Sequence, residues 1–232
     1  MINQLKVEFY KLTHSVMLYV IGALYFIMGI IVPFKMVKMF DVDDIYYPFQ
    51  DALQDVSFVF LTAILVAWFI GQDYSNRVFQ HEIANGYSRF SVIISRLIPI
   101  TIASVVMHAI TVSSEVLGTG ILVGFSSSSF SGADVLWVLT VILQIVALVC
   151  VFAFISFVSG SQFAATAGTV VFEIFFCNIM RNFLRSGVYT YTCLCFAKDN
   201  TNERLSICAI SAVATIVVVL FLTYCVFKKK EI

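Results

Sequence analysis

Charged residues are scarce in this chain. Asp, Glu, Lys and Arg make up 12% of its 232 residues and hydrophobic residues make up 60%, with a mean hydropathy of +0.96. About a quarter of the residues in soluble domains are charged. There is too little polar side chain to cover a folded chain of this size in water, so the composition excludes an ordinary soluble globule and indicates a lipid environment.

The sequence also lacks the motifs of several enzyme classes. No glycine precedes a lysine, which excludes the G-x-x-x-x-G-K-[ST] loop of an ATPase. His81-Glu82 does not continue as H-E-x-x-H, and Gly124-Phe125-Ser126 opens a serine run rather than a nucleophile elbow. We therefore predict no catalytic residues, no cofactor and no metal in this chain, whose three histidines are scattered at His14, His81 and His108.

Other binding classes lack their signatures too. Of six cysteines, only Cys193 and Cys195 form a C-x-C pair; one pair is too little for a metal site, and a disulfide across one residue would be strained, so two free thiols are favoured. The acidic stretch 41–55 lacks the glycine and terminal glutamate of a calcium loop. Net charge is zero without a basic stripe, which argues against nucleic-acid binding.

What the chain has is long apolar runs. A helix needs about 20 mostly apolar residues to cross a bilayer, and a barrel strand would alternate polar and apolar residues instead. The runs are continuous, which predicts a single domain of the all-α membrane class in the lipid bilayer of a cell membrane. The six predicted transmembrane helices are 16–34, 56–71, 97–123, 135–158, 163–180 and 205–227.

The first 14 residues do not form a cleavable signal peptide, because the segment before the apolar run contains Glu8 and no small-residue cleavage site follows. An apolar residue recurs every three or four positions, which predicts an interfacial amphipathic helix over 1–14. A frayed tail is the alternative. The apolar face consists of Ile2, Leu5, Phe9 and Leu12.

Positive charge predicts the orientation. With six spans both termini lie on one side, and that side carries eight Lys and Arg against six on the other. The run Lys228-Lys229-Lys230 directly after the last span is the strongest single marker. We predict that both termini are cytoplasmic.

Residues 72–96 form the longest segment predicted on that side. Ser75 or Asn76 can cap a helix start, Asn85-Gly86 is a helix stop, and Ser88 can cap the next helix. This predicts a short helix, a sharp turn and a second helix running into span three. The first helix is either an interfacial helix or a docking element for a partner, with an apolar stripe of Phe79, Ile83 and Tyr87.

The residues Asp73-Tyr74-Ser75-Asn76-Arg77 and Glu82-Ile83-Ala84-Asn85-Gly86-Tyr87-Ser88-Arg89 resemble the corresponding loop of ABC-2-type permeases, the membrane subunits of a class of ATP-binding-cassette exporters. In that family an acidic residue follows span two, then come a helix, a glycine turn, and Ser and Arg before span three. The residue-level match covers this loop alone, and the overall layout is also similar. Tyr87 departs from the commoner pattern of a small or β-branched residue.

The resemblance implies that this loop, 73–89, holds a coupling helix that sits in a groove of a nucleotide-binding subunit. It implies two partner ATPase subunits that bind ATP and Mg, and a second permease of the same or similar sequence. The implied activity is export of a peptide or another amphipathic molecule, as in immunity to antimicrobial peptides. Phe79, Ile83 and Tyr87 would be the apolar contacts, and Glu82 and Arg89 the ion-pair partners. The implied coupling residues are Arg77, Phe79, Glu82, Ile83, Gly86, Tyr87 and Arg89.

Two other functions stay open from the sequence. A substrate-binding membrane subunit of a vitamin-type importer also has about six spans, although the long loop argues against it. A scaffold or sensor could use residues 72–96 to recruit a signalling partner.

Two acids lie within predicted spans. A charge in hydrocarbon costs at least a few kcal/mol, so Glu173, halfway along span five, should face the bundle interior. It is either a contact on a substrate pathway or a structural hydrogen-bonding group. For Glu115, near the outer end of span three, the structural role is favoured.

Residues 181–204 mix apolar and polar residues and are either a re-entrant pair, as in ABC-2 permeases, or an external loop packed on the bundle.

Overall fold

The computed structural model describes residues 2–40, 42, 44–55, 59–125, 130–180, 192, 196–197 and 201–230. All regular structure within these residues is helical, which confirms the predicted all-α class. The elements are α1 (Ile2–Thr13), α2 (Val16–Phe40), α3 (Tyr46–Gln54), α4 (Val59–Ser75), α5 (Val78–Ala84), α6 (Arg89–Val123), α7 (Gly132–Ser159), α8 (Gln162–Phe172), a π-helix (Glu173–Met180) and α9 (Asn202–Lys229).

Four of these helices, namely α2, α6, α7 and α9, are long and apolar enough to cross a membrane. The pair α3 and α4 is bent by 45° and would make a fifth span if both parts cross together. The apolar helix from Gln162 to Phe176 is shorter than a span. The described residues thus support a multi-pass membrane protein with four or five spans, where the sequence predicted six.

Two of the six predicted spans are not single span-length helices in the structure, and each difference has a local cause. Helix α4 has 17 residues, one short of the length taken for a span, and α3 before it lies at 45° to it. In the predicted fifth span the α-helical bonding ends at Phe172 and gives way to the wider π-helical pattern at Glu173. The serine run 126–129, Cys193, Cys195 and most of 181–204 lie outside the described residues.

Helix α7 is central: α4, α6, α8 and α9 all pack against it, while α2 packs on α6 and α4 also packs on α8. More than half of the apolar stretch of α6 and of α7 is buried, but less than a quarter of that of α2 or α9. The peripheral helices therefore present apolar side chains outward, as expected of a surface that faces lipid.

Both termini lie at one end of the bundle. Glu8 of α1 contacts Arg96 near the start of α6, and Arg89 contacts the backbone of Lys230 near the chain's other terminus. We call this the terminal end. At the opposite, far end, the Tyr46 hydroxyl of α3 donates to Asp134 near the start of α7 at 3.0 Å.

Gly71 allows α4 and α8 to approach closely. A Cβ atom on Gly71 would lie 2.7 Å from the backbone Cα of Gln162, whereas one on Gly22 of α2 would meet only the flexible tip of Met107 at 3.4 Å. Small residues at membrane helix contacts let backbones approach in this way.

We expect Gly71→Ala to destabilise the protein by about 1–3 kcal/mol, because α4 and α8 must separate to admit the methyl group. Gly22→Ala is the matched control and should be neutral or slightly stabilising, since alanine favours a helix. Thermal unfolding of both variants in mild detergent measures the difference. Equal unfolding temperatures for the two variants would contradict the close approach.

Candidate functional site

The segment between α4 and α6 at the terminal end is a short helix between two turns. Arg77 adopts a left-handed conformation with φ 56° and separates α4 from the seven-residue helix α5. Gly86, with φ 85°, ends the segment in a conformation that glycine adopts without strain. Ser88 then begins α6, and its side chain accepts a hydrogen bond from the Ser91 N–H at 3.2 Å.

These turns confirm the predicted stop at Asn85-Gly86 and the predicted Ser88 cap. The predicted cap at Ser75 or Asn76 is wrong, because α4 continues through Ser75 and the break comes at Arg77. The hydroxyl of Ser75 donates back to the Gly71 carbonyl inside α4 at 3.4 Å, so it is not available to start α5.

Phe79 anchors α5 to the bundle. It is 1% exposed and its ring lies 4.6 Å from Tyr74 of α4, 5.7 Å from Phe157 of α7 and 5.5 Å from Phe227 of α9, centroid to centroid. The predicted stripe is thus not one exposed surface: Phe79 is internal, Ile83 is half-buried and Tyr87 is 42% exposed.

Arg96 lies at the centre of a buried charge cluster. Its guanidinium is fully buried and pairs with Asp73 of α4 at 3.0 Å, Glu82 of α5 at 2.7 Å and Glu8 of α1 at 3.3 Å. Lys11 of α1 joins the cluster by pairing with Asp73 and, at 3.3 Å, with Glu8. One side chain of α6 therefore holds three other helices together.

The cluster contains three carboxylates and two cations, so its carboxylates are not fully neutralised. Burial raises the pKa of Glu8 above its ordinary value, although Arg96 and Lys11 act in the opposite direction. Desolvation penalises the charged form of a carboxyl group, and Asp73 adds repulsion. Glu8 thus retains a proton more readily than a free carboxyl group does.

The last helix is tied to the same region by two cations. One nitrogen of Arg89 donates to the carbonyl oxygens of Phe227, Lys228 and Lys230 at 2.5, 2.8 and 2.9 Å, which satisfies the end of α9. Lys230 donates to the Phe157 and Val158 carbonyls at 2.8 and 2.9 Å, and burial lowers its pKa. The resemblance gives Arg89 and Glu82 as ion-pair partners for an ATPase subunit. In this structure Arg89 bonds to the end of α9 and Glu82 pairs with Arg96.

The outward face of this segment remains open to a partner. Its exposed side chains lie on α5 and its flanking turns and include both polar and aromatic groups. They include Arg77, Gln80, His81, Ala84, Asn85 and Tyr87, with Gly86 at the turn.

The two predicted intramembrane acids are both buried. Glu173 is fully buried as the first residue of the π-helix and acts electrostatically on Tyr25, whose hydroxyl bonds Thr62 at 2.6 Å. It faces the bundle interior, as predicted. Glu115 is 1% exposed, and its Oε2 has no hydrogen-bond partner in the described structure. Among the described residues no three His, Cys, Asp or Glu side chains could share a metal ion.

The sequence interpretation did not identify Arg96, Lys11 and Glu8 as site residues. A detectable signal was present, because Arg96 stands at the edge of an apolar run that is otherwise uncharged for many residues. Such a charge needs an ion-pair partner once it is buried. The acidic residue after span two, Asp73, is that partner.

We expect Arg96→Leu to destabilise the protein by about 3–5 kcal/mol, because the buried Asp73 and Glu8 would lose the guanidinium and keep only Lys11 as a cationic partner. Adding Asp73→Asn should recover part of the loss, so the double variant should be less destabilised than the sum of the two single variants. Thermal unfolding in detergent measures the four-member cycle. Arg77→Leu, at an exposed position, is the control, and additive losses would argue against the pairing.

The raised pKa of Glu8 makes stability depend on pH. The folded protein holds this proton more tightly than the unfolded chain, so the contribution is present below the ordinary value of 4.5 and is lost as pH rises through the raised pKa. As pH rises from 4.5 to the raised pKa of Glu8, we expect the wild type to lose stability relative to Glu8→Gln. Unfolding temperatures of both proteins across pH measure it, and a constant difference would contradict the assignment.

Comparison with known proteins does not add a family to this geometry. A scan against models of known protein families finds no match, and a search of curated proteins finds none either. The resemblance of residues 73–89 to the loop of ABC-2-type permeases therefore stays a prediction from the sequence.

Proposed function

We propose that the chain is the permease subunit of an ATP-binding-cassette exporter, driven by two separate ATPase subunits that bind at its terminal end. The observation that carries this proposal is the bracing of α5. A seven-residue helix is fixed between α4 and α6 by Phe79 and by the Glu82–Arg96 pair, while its other face is exposed.

Such bracing suits a coupling element. If a partner pushes on the exposed face of α5, the buried Phe79 ring and the 2.7 Å Glu82–Arg96 pair resist independent motion of α5. Displacement then passes to the helices that share these contacts. Closure of two ATPase subunits around ATP and Mg would act on a two-state bundle in this way.

The proposal includes finer features of the resemblance. Both termini are cytoplasmic, the α3–α4 pair and the Gln162–Met180 segment complete six spans, and a second copy or a similar permease completes the pore. The cargo is a peptide or another amphipathic molecule. The exposed apolar faces of α2 and α9 leave room for lipid or a second permease.

We expect Ala84→Arg to reduce the recovery of a partner ATPase by about tenfold, equivalent to about 1.4 kcal/mol of binding, because a large charged side chain is placed on the exposed face of α5. Val7→Arg is the matched control, since Val7 is 62% exposed on α1 at the same end. The measurement is a mild-detergent pull-down of the tagged chain from its host's membranes, with mass spectrometry.

A stoichiometric partner with a Walker A motif, lost in Ala84→Arg and kept in Val7→Arg, supports the exporter. Equal loss in both variants would contradict docking on α5. Recovery of no ATPase at all would sink the exporter, and tight binding of a small vitamin by the isolated chain would favour the importer subunit instead.

A further inference from the structure

A groove opens between α3, α6 and α7 in the half of the bundle nearer the far end. Its cavity is about 160 Å³, roughly five times the volume of one liquid water at ~30 Å³, which is room for part of an alkyl chain. The walls are almost entirely apolar, and His108 and Ser113 are the polar lining residues. The apolar lining includes Phe49, Leu53, Val105, Val112, Val138 and Ile142.

His108 faces this groove without a hydrogen-bond partner for one ring nitrogen. The residue is 8% exposed, and its Nε2 atom bonds to nothing in the described structure. The ring packs edge-on against Phe196 at 5.5 Å. A buried polar atom left unpaired is costly, so a ligand that hydrogen-bonds to Nε2 would recover that cost, and it does so as a donor in the tautomer whose Nε2 carries no proton.

Carboxyl groups lie on and next to α3, the helix that supplies Phe49 and Leu53 to the groove. Asp51 lies on α3 and Asp55 directly follows it, and both act electrostatically on the buried Glu115 of α6, while Asp55 also acts on His108. The groups that act on Glu115 are thus themselves acidic. An apolar groove beside several carboxyl groups complements a molecule with a positive head and an apolar chain.

We propose that this groove binds a cationic amphiphile, with its alkyl portion against the walls of α6 and α7 and its ammonium group near Asp51 and Asp55, donating to His108. The site is partly preorganised, because Tyr46 ties α3 to Asp134 of α7 and Phe49 packs on Phe130 at 5.1 Å. The inference concerns the far half of the isolated chain and does not require a partner ATPase.

The test uses the full chain in phosphatidylcholine nanodiscs and a dodecylammonium probe carrying a photoreactive diazirine near the ammonium group. Crosslinked peptides are mapped by mass spectrometry. We expect labelling concentrated on residues 49–55 and 105–113, which lie nearest the proposed ammonium position, and reduced about tenfold by Ser113→Trp, which fills the groove from an exposed position. Val106→Trp is the matched control, since Val106 is 49% exposed on α6 but does not line the groove.

The charge requirement is tested with two matched probes, an uncharged dodecanol and a dodecyl sulfate with the same diazirine. Asp51→Asn with Asp55→Asn should reduce labelling by the ammonium probe and leave the alcohol probe unchanged. Labelling by the sulfate as strong as by the ammonium would overturn the cationic class. Labelling spread evenly over the lipid-facing positions of α6, and unaffected by Ser113→Trp, would overturn the site.

Discussion

A buried arginine places the strictest demand on this structure. Arg96 has no exposed surface, and an arginine cannot shed its charge, so its carboxylate partners must be present in fixed positions. Those partners come from three other helices, α1, α4 and α5. Arg96 also lies 5.1 Å from the centre of the Phe79 ring, so the charge cluster and the aromatic anchor of α5 are one connected unit.

That demand explains where the sequence interpretation succeeded and where it failed. The helical class and the stop at Asn85-Gly86 follow from local rules, since run length and glycine conformation need no knowledge of neighbours. The buried face of α1 does not follow from local rules. Of the predicted apolar face only Leu12 is buried, Leu5 and Phe9 are half-buried and Ile2 is 71% exposed, whereas the polar residues Gln4 and Glu8 are buried.

The reason is that α1 orients toward ion-pair and hydrogen-bond partners rather than by apolarity alone. Glu8 pairs with Arg96, and Gln4 accepts a hydrogen bond from Ser91 at 2.7 Å, both across to α6. Such contacts join residues more than 80 positions apart, and a helical wheel of α1 contains no information about them. The same limit applies to Phe79, whose helical spacing is identical whether it meets a partner protein or its own core.

The two ends of the bundle differ in the groups that they bring together: charged side chains that bond between helices at the terminal end, and an apolar groove beside an unpaired histidine nitrogen in the far half. At the terminal end, Arg89, Arg96 and Lys230 each bond to other helices, so several contacts oppose separation of those helices. In the far half, His108 and Glu115 keep buried polar atoms without partners in the described structure. Unsatisfied buried groups are retained at a cost in stability, and a ligand can recover that cost only where the groups face a groove. His108 faces such a groove, which is why we propose ligand binding in the far half and coupling to a partner at the terminal end.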